Sequence, residues 1–199
     1  MDQKLLTWGL RGRPAALPRL WLFTDDQRLP DPRHAVACLP RGRAGVVLRH
    51  DRHPDRAAIG QDLARICRAR RLVLVVAGDV RLAAALRAGV HLRAGRWPGP
   101  LRRPGMATSS AHSIADLRRA HAAGARLVFL SPAFPTASHI GAPGLGPLRW
   151  GLAARAAAAG AASTPIELAA LGGVDGRSVK RLPARWLRAV GAIGALSSR

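Results

Sequence analysis

Residue types suited to holding anions and moving protons recur in this chain at the ends of short apolar runs. Thr24, Asp25 and Asp26 follow the run 20–23, and Arg49, His50 and Asp51 follow 45–48. Gly78 and Asp79 follow 72–76, while the run 89–92 contains His91 and leads into Arg93. Ser110, His112 and Ser113 follow 106–109; Ser131, Pro132, Thr136, Ser138 and His139 follow 127–130. Gly172 and Gly173 come after 166–171, and Gly191 and Ala192 after 186–190. Any one of these residues alone reads as a helix cap or a solvated loop. If the runs are parallel strands of one sheet, however, their ends converge on one rim and make a site.

Three segments are sharper. In Ala170-Leu171-Gly172-Gly173-Val174 an apolar run meets paired glycines, then a predicted helix opened by Asp175. Glycines there let backbone N–H groups approach a phosphate, with a helix N-terminus adding favourable potential. A tight turn asks for the same residues. Residues 130–139 carry the hydroxyls of Ser131, Thr136 and Ser138, then a Gly/Pro stretch that includes Gly144 and ends at Gly146. Such a loop suits a phosphate or ring substituent, or is a plain Pro-rich connection. Ser113, three residues before Asp116, has N-cap spacing.

The elements that position these residues follow from the alternation itself. Eight apolar runs alternate with Ala/Leu/Arg segments predicted as helices at 31–39, 55–70, 80–87, 113–123, 148–161 and 175–181. This is the pattern of repeated βα units on a parallel sheet. Several runs are apolar throughout, as expected of strands covered on both faces. Segment 93–105 is too rich in Pro and Gly for a full helix, and the end after Val190 allows only a short one. The fold class is α/β, a compact (β/α)8 barrel over 19–199 as a single domain, with 1–18 as an irregular N-terminal extension. An open doubly wound sheet would need a Gly-rich loop after the first strand, where Thr24-Asp25-Asp26 stands instead.

Composition bounds the function class. A net charge of +21 would suit nucleic acid, but the charge is nearly all arginine, spread along the chain without interleaved aromatics. Nucleic acid is therefore the lesser reading, and attraction of phosphorylated small molecules the better one. No apolar run is long enough to span a bilayer, which argues against a membrane partner. Cys38 and Cys67 lack metal or redox spacing and read as idle thiols in a cytoplasmic protein.

From Leu20 to about Leu196 the sequence resembles the thiamine phosphate synthase family, which includes thiazole tautomerases. Leu20-Trp21-Leu22-Phe23-Thr24-Asp25 looks like that family's first strand, and Val46-Val47-Leu48-Arg49 like its Val-Gln-Leu-Arg. Gly89-Val90-His91-Leu92 resembles Gly-Val-His-Leu, and Ser110-Ala111-His112-Ser113 resembles Ser-Val-His-Ser. Ser131-Pro132-Ala133-Phe134-Pro135-Thr136 resembles Gly-Pro-Ile-Phe-Pro-Thr, and the turn at Gly172-Gly173 resembles Gly-Ile-Gly-Gly-Ile. The resemblance implies a Mg²⁺-assisted coupling of a hydroxymethylpyrimidine diphosphate to a thiazole phosphate, releasing pyrophosphate. Arg49, Ser110 and His139 are then the catalytic candidates. Thr136, Ser138, Gly144, Gly172, Gly173 and Gly191 are the candidates for substrate and phosphate binding. The implied partners are the two phosphorylated ring compounds, with a homodimer left open. The family's Asn-Asp-Arg after strand 3 is here Ala77-Gly78-Asp79, and its second acidic metal ligand falls near Arg96. Asp79 remains as the metal candidate, with Asp51 beside it. A tautomerase, using His139 or His112 as acid/base, or a non-catalytic binder of thiazole phosphate is the alternative.

Overall fold

Each apolar run becomes a strand, and the strands close on themselves. A computed structural model of the chain describes residues 1–12, 17–99, 105–136, 143–159 and 166–197. The strands are β1 (Leu20–Phe23), β2 (Ala44–Leu48), β3 (Val73–Ala77), β4 (Gly89–Leu92), β5 (Ala107–Ala111), β6 (Leu127–Leu130), β7 (Glu167–Leu171) and β8 (Leu187–Ala192). They pair in sequence order, all parallel, and Leu20 of β1 meets Val190 of β8 to complete the barrel. The helices are α1 (Gln3–Gly9), α2 (Arg33–Ala37), α3 (Arg56–Arg70), α4 (Val80–Ala85), α5 (Ile114–Ala122) and α6 (Gly146–Ala159), with a 3-10 turn at Ser178–Arg181. No helix among the described residues is long and apolar enough to cross a membrane.

Alternation along the strands divides the apolar residues into two cores. Leu20, Leu22, Val46 and Leu48 face outward to Leu63, Leu117 and Trp150 of the surrounding helices. Trp21, Phe23, Val47, Val75 and Phe129 fill the barrel interior. Aromatics are only 4% of the sequence, yet three of them meet edge-to-face inside. Phe129 lies 5.7 Å from Trp21 and 4.8 Å from Phe23, centroid to centroid. Gly45 makes room for Trp21, because a Cβ there would lie 2.4 Å from the indole ring.

Four local expectations change. The extension 1–18 is not irregular throughout: Asp2 caps α1, and Leu5 is buried in the outer core. β5 runs on to Ala111, because Ser110 and Ala111 continue the ladder with Phe129 and Leu130, so Ser110 lies within the strand. Gly191 likewise lies inside β8, paired with Trp21 and Leu171; a Cβ there would stand 2.7 Å from the Phe23 ring. The helix expected at 175–181 is only the 3-10 turn. The Asp175 carboxylate takes up the N–H groups of Arg177 and Ser178, and Pro183 follows closely. Both cysteines are free: Cys38 is exposed, and Cys67 is buried, which pushes its pKa up to about 12.

Candidate functional site

At the C-terminal ends of the strands lies a cavity of about 1040 Å³. Arg49, Ser110, Thr136, Gly172, Gly173 and Gly191 all line it, so six of the expected site residues share one space. Ser138 and His139 lie outside the described residues. Gly144 is not among the lining residues; it packs against the Phe134 backbone, where a Cβ would approach within 2.4 Å. Asp79 is not in the lining either.

One wall, built by β1–β4, is basic. Arg28, Arg49 and Arg93 line it together with Asp51. Arg49 is held from behind by a buried chain of hydrogen bonds. Its backbone N–H donates to Thr24 Oγ1 at 2.9 Å, and Thr24 Oγ1 lies 2.9 Å from His50 Nδ1. His50 Nε2 is 3.0 Å from Pro30 O, and a carbonyl can only accept, so Nε2 carries the proton. In the neutral ring Nδ1 then accepts from Thr24. His50 is thus part of the wall's support rather than of its surface.

Asp25 steers two of these arginines. It pairs with Arg28 at 2.9 Å and Arg49 at 3.5 Å. Burial alone would raise its pKa. Hydrogen bonds from the Arg28 side chain and backbone, together with the Arg28 and Arg49 charges, outweigh that and hold it down at about 2. The sequence reading passed over Arg28; its signal was the three-residue spacing from Asp25, which the turn converts into contact.

The floor is His91, flanked by Phe23. The two rings meet edge-to-face at 5.5 Å, and His91 Nδ1 lies 2.8 Å from Thr108 Oγ1. Burial, reinforced by the Arg49 and Arg93 charges, drives the imidazole pKa down to about 3. At neutral pH it is an uncharged polar group beneath a cationic wall.

The opposite wall comes from β5–β8. His112 Nδ1 lies 3.0 Å from Ser131 O, which can only accept, so Nδ1 carries a proton and the neutral ring has its lone pair on Nε2. Gly172 and Gly173 adopt φ of +89° and +63°, and their turn is stitched to the loop after β6. Ala133 N–H donates to Leu171 O at 2.8 Å, and Phe134 N–H to Gly172 O at 3.0 Å. Ile193, Gly194 and Ala195, in the turn after β8, complete the rim and were not anticipated.

The Mg²⁺ that the sequence resemblance implies does not fit these residues. Asp79 Oδ1 caps α4 by accepting from Leu82 N–H at 2.9 Å, and its Oδ2 lies 3.6 Å from Arg56. Asp51 is held between Arg56 at 3.3 Å and Arg93 at 2.7 Å. Each carboxylate therefore has a guanidinium as its neighbour. Like charges 4 Å apart repel by about 4 kcal/mol per pair at an effective dielectric of about 20, and a divalent ion feels twice that. Among the described residues no group of three or more His, Cys, Asp or Glu could hold a metal ion.

Comparison with known proteins identifies the family. Residues 20–196 match the family described as thiamine monophosphate synthase. The thiamine biosynthesis bifunctional protein ThiED of Geobacter sulfurreducens is 32% identical over 133 residues, covering 60% of this chain and 26% of that protein. The chain thus spans about a quarter of the length of this relative. The thiamine phosphate pyrophosphorylase of Pyrococcus furiosus superposes with a TM-score of 0.68 at 21% identity, covering 91% of this chain and 88% of that one. The corresponding enzyme of Bacteroides thetaiotaomicron gives 0.61 at 18% identity, covering 90% and 84%. These two structures share the barrel. With the family match running from the first strand to the turn after the last, the chain belongs to the thiamine monophosphate synthase family.

Proposed function

We propose that this protein joins a hydroxymethylpyrimidine diphosphate to a thiazole phosphate and releases pyrophosphate. Family membership supports a function related to thiamine biosynthesis. The observation that carries the finer reading is a single cavity with an arginine wall on one side and a wall of hydroxyls and glycine on the other. Two anionic ligands need two such walls. In the reaction the methylene C–O bond breaks, pyrophosphate leaves with the electron pair, and the thiazole nitrogen lone pair forms the new C–N bond. No proton changes place, so charge stabilisation and alignment are what the site must supply. Arg49 and Arg93 neutralise the departing diphosphate. Thr136 and the Gly172-Gly173 turn hold the thiazole phosphate. Neutral His91 offers the pyrimidine a polar contact without adding charge.

One observation favours a second reading, a thiazole tautomerase. Ser131 O orients the His112 ring through Nδ1, so that the neutral imidazole has its lone pair on Nε2, as a proton-transfer base requires. One experiment separates the two. The protein is given thiazole phosphate alone, then with the pyrimidine diphosphate, and binding and products are followed by calorimetry and chromatography. Thiazole phosphate is expected to bind alone, Thr136→Val to weaken it about tenfold (the loss of one good hydrogen bond to a charged group), and the coupled product to form in the second mixture. His112→Gln should leave coupling intact. Isomerised thiazole without coupling, lost in His112→Gln, establishes the tautomerase. Failure of both ligands to bind overturns both readings.

A further inference from the structure

We propose that Arg93 takes the part of a divalent cation at this site, so that the diphosphate end of the ligand is gripped by the Arg93 and Arg49 guanidinium groups without a metal ion. This rests on reading the basic wall as a diphosphate site. The misfit for Mg²⁺ has a positive counterpart in the placement of Arg93. Its side chain lies against Gly78, where an ideal Cβ would stand only 3.2 Å from Nε and Nη2. A side chain at position 78, a carboxylate included, would crowd the guanidinium and make it give by a few tenths of an ångström. Gly78 also adopts φ of +65°, which glycine tolerates without strain.

Asp51 Oδ2 fixes the guanidinium at one corner, 2.7 Å from Nη2. The side chain is otherwise 59% exposed and faces the cavity. A guanidinium has five N–H donors in a planar fork that matches phosphate oxygens, and one carboxylate contact leaves most of them available. Arg49 lines the same cavity, and the charges of Arg49 and Arg93 both act on His91, which lines it too. Behind Arg93 the order Arg93–Asp51–Arg56–Asp79 alternates in sign. That row balances itself and leaves no surplus carboxylate to attract a metal. Asp175 lines the cavity too, but its Oδ1 already accepts from Arg177 and Ser178 N–H.

The test is calorimetric titration with inorganic pyrophosphate at physiological salt, once with excess EDTA and once with excess Mg²⁺. Binding is expected in EDTA and no tighter with Mg²⁺. Arg93→Gln should weaken binding at least tenfold with an unchanged melting temperature, since the side chain is largely exposed, and Arg93→Lys should fall between. Arg118→Gln, an exposed charge on α5, should bind like the parent protein. Binding that requires Mg²⁺, or an Arg93→Gln variant with parental affinity, overturns the inference. So does an equal loss in Arg93→Gln and Arg118→Gln, which would reflect only the +21 net charge. The underlying reading fails separately. Pyrophosphate bound as expected with no coupled product leaves Arg93 in its role and removes the synthase. Coupling that proceeds only with Mg²⁺, with pyrophosphate binding equally dependent on it, does the reverse.

Discussion

His91 lies uncharged under two guanidinium groups, and that placement has a pH signature. In the unfolded chain its pKa returns to the ordinary 6.5, while in the folded protein it is about 3. Below pH 6.5 the unfolded state therefore gains a proton that the folded state refuses. Stability is full above 6.5 and declines as pH falls from 6.5 toward 3. Melting temperatures should drop between pH 7 and 5, and His91→Gln should flatten that drop; an unchanged slope would contradict it. Most of the residues on the rim were legible in the sequence, because parallel strands must deliver their ends to one side. Arg49, Ser110, Thr136 and the paired glycines needed only that rule. Arg93 was visible after β4, but its role was not. Its orientation comes from Asp51 and Gly78, 42 and 15 positions away in the chain, and no local pattern encodes such a meeting.

At the scale of elements, the Gly172-Gly173 turn carries more than a phosphate contact. The backbone hydrogen bonds from Ala133 and Phe134 lock the loop after β6 onto the end of β7. A Cβ on Gly173 would come within 2.3 Å of Pro135 O and 2.8 Å of Phe134 Cβ. Gly173→Ala should therefore destabilise the fold by about 1–3 kcal/mol, by left-handed strain and collision together. It should also disturb the wall that holds Thr136. Urea unfolding measures the first effect and thiazole phosphate titration the second; a variant as stable as the parent would show that the loop moves aside freely. The sequence motif announced a tight turn and a phosphate cradle as rival explanations, and the packing shows that the tight turn is real on its own account. The expected helix after it was misread because Asp175 looks like a cap from sequence. Its carboxylate accepts the Arg177 and Ser178 N–H groups, but Arg177 holds the cap position and only a 3-10 turn follows.

For the molecule as a whole, the helix that sequence reading missed is the informative one. α1 reaches from the C-terminal rim, where Asp2 lies, to the start of β1, where Gly9 packs on Leu20. Its signal was present in Asp2 followed by Leu5, Leu6 and Trp8, but the Arg- and Pro-rich stretch behind it read as irregular chain. Asp2 does triple service. Its carboxylate accepts from Lys4 and Leu5 N–H, which caps the helix, and from Gly176 N–H across the rim at 2.8 Å. Burial raises its pKa, but these three donors prevail and the net shift is downward from 3.8. Its contribution is thus complete above pH 3.8 and is lost as pH falls below that value. Asp2→Ala should cost about 0.5–2 kcal/mol at neutral pH, as the loss of an N-cap does. Equilibrium unfolding would read this, and a cost near zero would show that α1 is only loosely attached.

The Asp2 backbone N–H also donates to Ala195 O at 2.8 Å, so the first residues of α1 touch the turn that follows β8. Residues 2 and 195 therefore meet beside the mouth of the cavity. A short linker joining these two segments would let the barrel be reopened in another surface loop, and the rearranged chain should assemble the same fold.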